Sequence, residues 1–154
     1  MDTLHSVAHL QREIGDEAFS TLISSDNTEA VRQFAQGLVE KALFKEMTVG
    51  GRTYDILGFL KGDEKLVIGQ VMVDRAKEMN ANLGQDDGEH ILKHQDEIPV
   101  ALRGKVTFVF TDWRHPDNPG LVYSVCWNGG QWVRYWNWLD DDYWGGNSRL
   151  LRRK

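Results

Sequence analysis

Three consecutive turn formers, Asn128, Gly129 and Gly130, stand between two runs of strand-forming residues, 121–127 and 131–138. No other feature restricts the fold of this chain as closely. The tight turns that suit paired strands need positive φ, which glycine and asparagine supply. The turn can be Asn128-Gly129 or Gly129-Gly130. Either choice leaves the same residues sharing a face, because side chains alternate with period two and only a one-residue slip would reverse them. One face collects Leu121, Tyr123, Val125 and Trp127 with Trp132, Arg134, Trp136 and Trp138. The other carries Val122, Ser124 and Cys126 with Val133, Tyr135 and Asn137.

Upstream, residues 106–111 read as a central strand, with Val106, Phe108 and Phe110 on one face and Thr107, Val109 and Thr111 on the other. Its exit, 114–120, is dense in Pro, Asn, Asp and Gly, which is turn chemistry. An earlier hairpin is predicted about Gly50-Gly51, pairing Met47 with Tyr54 and Thr48 with Thr53. Between these lie a helix over 70–80 with Val71, Met72, Ala76 and Met79 inward, and a brief helix capped by Asp86 or Asp87 that carries Ile91 and Leu92 and ends before Pro99. A last strand passes through Leu150 and Leu151.

The first 43 residues have helical periodicity: Leu4, Val7, Ala8, Leu10 and Ile14, then Phe19, Leu22 and Ile23, then Val31, Phe34, Ala35, Leu38, Ala42 and Leu43. The expected fold class is therefore α+β, with N-terminal helices packed on a mostly antiparallel sheet that ends in a C-terminal β-meander. A single domain over 1–154 is expected, with 1–43 as its helical part and 44–154 as its sheet-rich part. A separate helical subdomain ending at Leu43 is the alternative.

The chain of 154 residues is 41% hydrophobic and 27% charged, enough to bury one core. A net charge of -5 argues against nucleic acid as a partner. The basic tail Arg149, Arg152, Arg153 and Lys154 reads as a charged, solvated end. Cys126 is the only cysteine, so no internal disulfide can form and the cytoplasm is the expected location. No apolar run reaches the ~18 residues of a membrane-spanning helix, and no membrane association is expected.

The blocks 98–114 and 136–142, together with Arg149-Leu150-Leu151-Arg152-Arg153-Lys154, resemble small bacterial proteins of no established activity. The resemblance covers the chain from about Arg52 onward. It implies a bacterial, cytoplasmic, free-standing short protein, and it carries over no functional residue.

Two kinds of site are suggested by the residues. The aromatic face of the last hairpin could stack on a sugar ring, a base or a partner's apolar side chain, with Arg134 holding a carboxylate or phosphate. The same face also reads as core, although an arginine in its middle then needs a partner or an exit to water. The candidate binding residues are Trp127, Trp132, Arg134 and Trp136, with Trp113, Arg114 and His115 at the exit of the central strand. The first functional expectation is thus a non-catalytic binding or protein-interaction module, its partner an unidentified protein or small ligand.

The alternative is a metal-dependent hydrolase. His90 and His94, like His5 and His9, have the i, i+4 spacing that puts two imidazoles on one helical face, as zinc ligands require. The sequence His-Glu-x-x-His is absent, and zinc is otherwise not expected. Asp55 with Asp63-Glu64-Lys65 faintly matches a nuclease pattern but reads better as a turn, as does Asp140-Asp141-Asp142 beside a calcium loop. A third reading is an adaptor working through the N-terminal helices, as a homodimer.

Overall fold

The computed structural model describes residues 31–35, 45–140 and 143–154. The chain divides into two compact units, Met1–Leu43 and Phe44–Lys154. In the first, residues 31–35 are helical, with Phe34 exposed. The helices expected over 4–14 and 16–23, and the His5/His9 pair, lie outside the described residues.

The second unit is built on a six-stranded sheet, in spatial order β1 (Glu46–Val49), β2 (Arg52–Leu57), β8 (Ser148–Arg153), β4 (Thr107–His115), β5 (Asn118–Asn128) and β6 (Gln131–Trp138). All its pairings are antiparallel except β4 with β8. Two short strands, β3 (Leu66–Ile68) and β7 (Tyr143–Gly145), form a separate ribbon.

Both hairpins have the expected parity. Met47 faces Tyr54 and Thr48 faces Thr53 across Gly50 and Gly51, whose φ values are +55° and +79°. At the second hairpin Asn128 pairs with Gln131, so the turn residues are Gly129 and Gly130, at φ +63° and +86°.

The expected N-terminal layer is corrected by the two helices that cover the sheet. Both come from the middle of the chain: α1 (Gly69–Glu78) and α2 (Gln85–Lys93). The second unit is mostly β around one large, largely antiparallel sheet, and its helices come from the middle of the chain. The physical reason is that alternating side chains make both faces of the sheet apolar, Leu150 on one and Leu151 on the other, and residues 69–102 with the β3–β7 ribbon lie against them.

On one face Met47, Tyr54, Ile56, Phe108, Phe110, Val125, Trp132 and Leu151 pack under Ile91 of α2 and under Ile98 and Leu102 from the short 3-10 turns that follow. On the other, Val109, Val122 and Leu150 pack under Met72, Val73 and Ala76 of α1 and against Val67 and Trp144 of the ribbon. Among the described residues no helix is long and apolar enough to cross a membrane.

Glycine permits the closest approach on each side. A Cβ on Gly88 would collide with the indole of Trp113, and one on Gly69 would collide with the backbone of Leu139. Each helix therefore sits at the distance its glycine sets.

Candidate functional site

The site is positioned by an irregularity in β4. Phe110 pairs with Tyr123, but the next pair is Arg114 with Val122, so Thr111, Asp112 and Trp113 are extra residues that bulge from the ladder. The bulge is held from two directions. Arg114 donates to the carbonyls of Thr111 (2.6 Å) and Pro119 (2.8 Å). Asp112 donates its N–H to the Leu83 carbonyl at 3.1 Å and accepts from the Asn82 amide at 2.9 Å. The displaced chain drives Trp113 inward, where it is buried.

From there a run of rings crosses the sheet to its edge. Trp113 meets Phe110 at 5.9 Å and Tyr123 at 4.6 Å, Tyr123 meets Trp136 at 5.5 Å, and Trp136 meets His115 at 4.3 Å between centroids. The Arg134 guanidinium lies over this run, 4.9 Å from the Tyr123 ring and 5.5 Å from that of Trp113. Among the described residues it makes no hydrogen bond or ion pair. Its donors therefore remain available while the charge is held over the rings. Tyr123, Arg134, Tyr135 and Trp136 line an open cleft of ≈ 270 Å³.

The aromatic face is divided along its length. At the turn end Trp132 is 2% exposed, stacked on Phe108 at 5.4 Å, and Trp127 is half-buried with the Arg103 guanidinium 4.3 Å over its ring. These two tryptophans belong to the core and its margin. At the open end Trp136 is 49% and Trp138 48% exposed. Of the residues singled out from sequence, Trp113, His115, Arg134 and Trp136 come together. Arg114 is committed to the bulge. Trp138 and Tyr123 complete the cluster; their positions on the aromatic face were readable, but not which end of it stays uncovered.

His90 and His94 do share a face, with centroids 4.7 Å apart. His90 Nε2 lies 2.9 Å from the Val49 carbonyl and His94 Nδ1 3.4 Å from the Glu97 carboxylate. A Cβ on Gly50 would come within 2.6 Å of His90 Nε2. The pair packs against the β1–β2 turn, and among the described residues no group of three metal-ligating side chains occurs. The other acidic candidates are committed as well: Asp55 to Arg152 at 3.0 Å, and Glu64 to Arg75 and the Lys61 N–H. The hydrogen bond from Arg75 holds the Glu64 carboxyl below its usual range. Of the acidic loop, Asp141 and Asp142 lie outside the described residues.

One ionic cluster sits across the β2–β8 end of the sheet. Asp87, nearly buried, accepts from the Tyr54 hydroxyl at 2.7 Å and pairs with Arg52 (3.3 Å) and Arg153 (2.8 Å). Burial, reinforced by the bond to Asp87, pushes the Tyr54 phenol up to about 12. The basic tail is thus part of the sheet's ion pairing and not a free end, with Lys154 bound to Glu46. Cys126 lies on the opposite sheet face, and burial raises its thiol pKa.

Comparison with family models, curated proteins and solved structures finds no match to the chain.

Proposed function

We propose that this protein is a non-catalytic binding module whose contact surface is the open end of the aromatic face: Trp136, Trp138, His115 and Arg134, backed by the buried ring of Tyr123. The observation that carries the reading is Arg134. It is an exposed guanidinium over two rings, with its hydrogen-bond donors unengaged among the described residues, beside two half-exposed tryptophans.

The chemistry favours a ligand that joins a flat or apolar ring to an anionic group. The ring stacks on Trp136 or Trp138, and the carboxylate or phosphate receives the guanidinium. The reading is one of recognition. The single cysteine supports a reducing, cytoplasmic setting.

The test is a titration with ring-bearing carboxylates and phosphates, including sugar acids and nucleoside monophosphates, followed through the indole N–H signals. Binding should shift Trp136 and Trp138 and leave Trp132 unmoved, and Arg134→Ala should abolish it. Shifts confined to other residues, or binding indifferent to Arg134, would overturn the proposal.

A further inference from the structure

The free edge of the sheet is itself a binding element. In β6 the odd residues hydrogen-bond inward to β5: the two-glycine turn makes Asn128 and Gln131 the closing pair, and at the far end Leu139 donates to the Gly120 carbonyl at 2.9 Å. The N–H and C=O groups of Trp132, Arg134, Trp136 and Trp138 therefore point away from β5. At Trp132 both are already met by the side-chain amide of Gln95, which accepts from the N–H at 2.9 Å and donates to the carbonyl at 3.2 Å. Gln95 thus stands in for a neighbouring strand over one residue and ends the open edge there.

From Arg134 to Trp138 the edge is unpartnered among the described residues. Residues 131–138 contain no Pro, no Lys and no bulge, and Arg134 is their one charge. Unpaired backbone groups of this kind are a template on which another strand can pair.

We infer that the strand is supplied by a second copy of this chain, β6 pairing antiparallel with β6 about a two-fold axis at Trp136. This register uses the whole open edge within β6 and stops short of the Gln95-capped residue on both sides. Trp136 then faces its own counterpart, and Arg134 faces Trp138 of the other copy, each pair exchanging N–H···O=C bonds. Cation meets indole across the seam, and the two arginines stay apart. An axis at Arg134 would instead set arginine against arginine and pair Trp136 with the occupied Trp132. The two copies would form one continuous sheet, with their open aromatic ends adjoining. The inference rests on backbone direction and register, independently of any ligand.

The test is sedimentation equilibrium of the full chain over a wide concentration range, with residue-resolved amide exchange. The wild type should reach a dimer, and the amides of Arg134, Trp136 and Trp138 should gain protection as concentration rises, while those of Val133, Tyr135 and Asn137 stay protected throughout. Trp136→Ala, which loses the half-exposed ring but keeps the outward N–H, should still dimerise, whereas Trp136→Pro, which loses both, should be monomeric while keeping the fold. Should that variant misfold, the wild-type exchange pattern alone decides. A monomer at every soluble concentration, with the outward amides exchanging freely, overturns the inference and leaves the edge to a strand from a different protein. So does a dimer in which those amides show no concentration dependence.

Discussion

The side-chain amide of Gln95 closes on the backbone of Trp132, accepting its N–H at 2.9 Å and donating to its carbonyl at 3.2 Å. A residue from the turn after α2 thereby fixes the covered end of the aromatic face, and the open end begins at the next outward-pointing residue. Gln95→Ala leaves the Trp132 N–H without a partner in a part-buried position, where an unmet group costs about 1–3 kcal/mol. Urea unfolding should show a loss in that range, and Gln95→Glu, which keeps the acceptor but loses the donor, should fall between.

Trp132 and Trp136 are on one face of one strand but should respond unequally to truncation. Trp132→Ala empties a core site stacked on Phe108, and such changes cost about 3–5 kcal/mol. Trp136→Ala removes a half-exposed ring and should lower stability by much less while removing ligand-induced indole shifts. Equal losses in the two variants would mean that Trp136 is as covered as Trp132.

Gly88 lies in α2 against Trp113. Alanine is a better helix former by about 1 kcal/mol, so a free helix would gain from Gly88→Ala. Here the added methyl meets the indole, and overpacking of this kind costs about 1–3 kcal/mol. The expected net effect in chemical denaturation is a loss, recovered in part when Trp113→Leu is combined with it; strict additivity would show that the two positions do not touch.

Tyr54 makes stability fall at alkaline pH. Its phenol is pushed up to about 12 in the folded chain against an ordinary 10.0, so between those values the native state holds a proton the unfolded chain has released. The contribution is complete below pH 10.0 and disappears as pH rises through about 12. The difference in unfolding free energy between wild type and Tyr54→Phe should therefore narrow with rising pH across that interval, and a constant difference would refute the assignment.

Much of the sheet was legible because strand parity is set by turns. Gly50-Gly51 fixed Met47 against Tyr54, and the two-glycine turn at Gly129 decided which side of β6 carries Arg134. The helices over 70–80 and after Asp86 follow from local periodicity, and they appear as α1 and α2. What covers the sheet was not legible, because amphipathic spacing shows that a helix has an apolar side without naming the surface it meets. The insertion of β8 beside β4 is a long-range pairing with no local mark.

The site was half visible. Alternation put the tryptophans on one face, but the division between Trp132 and Trp136 depends on Gln95, on Arg103 over Trp127 and on the bulge that turns Trp113 inward. None of these has a signature at short sequence range. The i, i+4 spacing of His90 and His94 was real geometry, and in the fold the pair packs against Val49 and Gly50.

The most direct measurement is hydroxyl-radical footprinting of the full chain with mass-spectrometric readout at each tryptophan. An aromatic face that is core at one end and open at the other predicts rapid modification of Trp136 and Trp138, with Trp113, Trp132 and Trp144 protected; footprinting dilute protein keeps the β6 edge unpaired. Protection of Trp136 and Trp138 to the level of Trp132 in dilute protein would contradict an open binding surface at that end of the sheet.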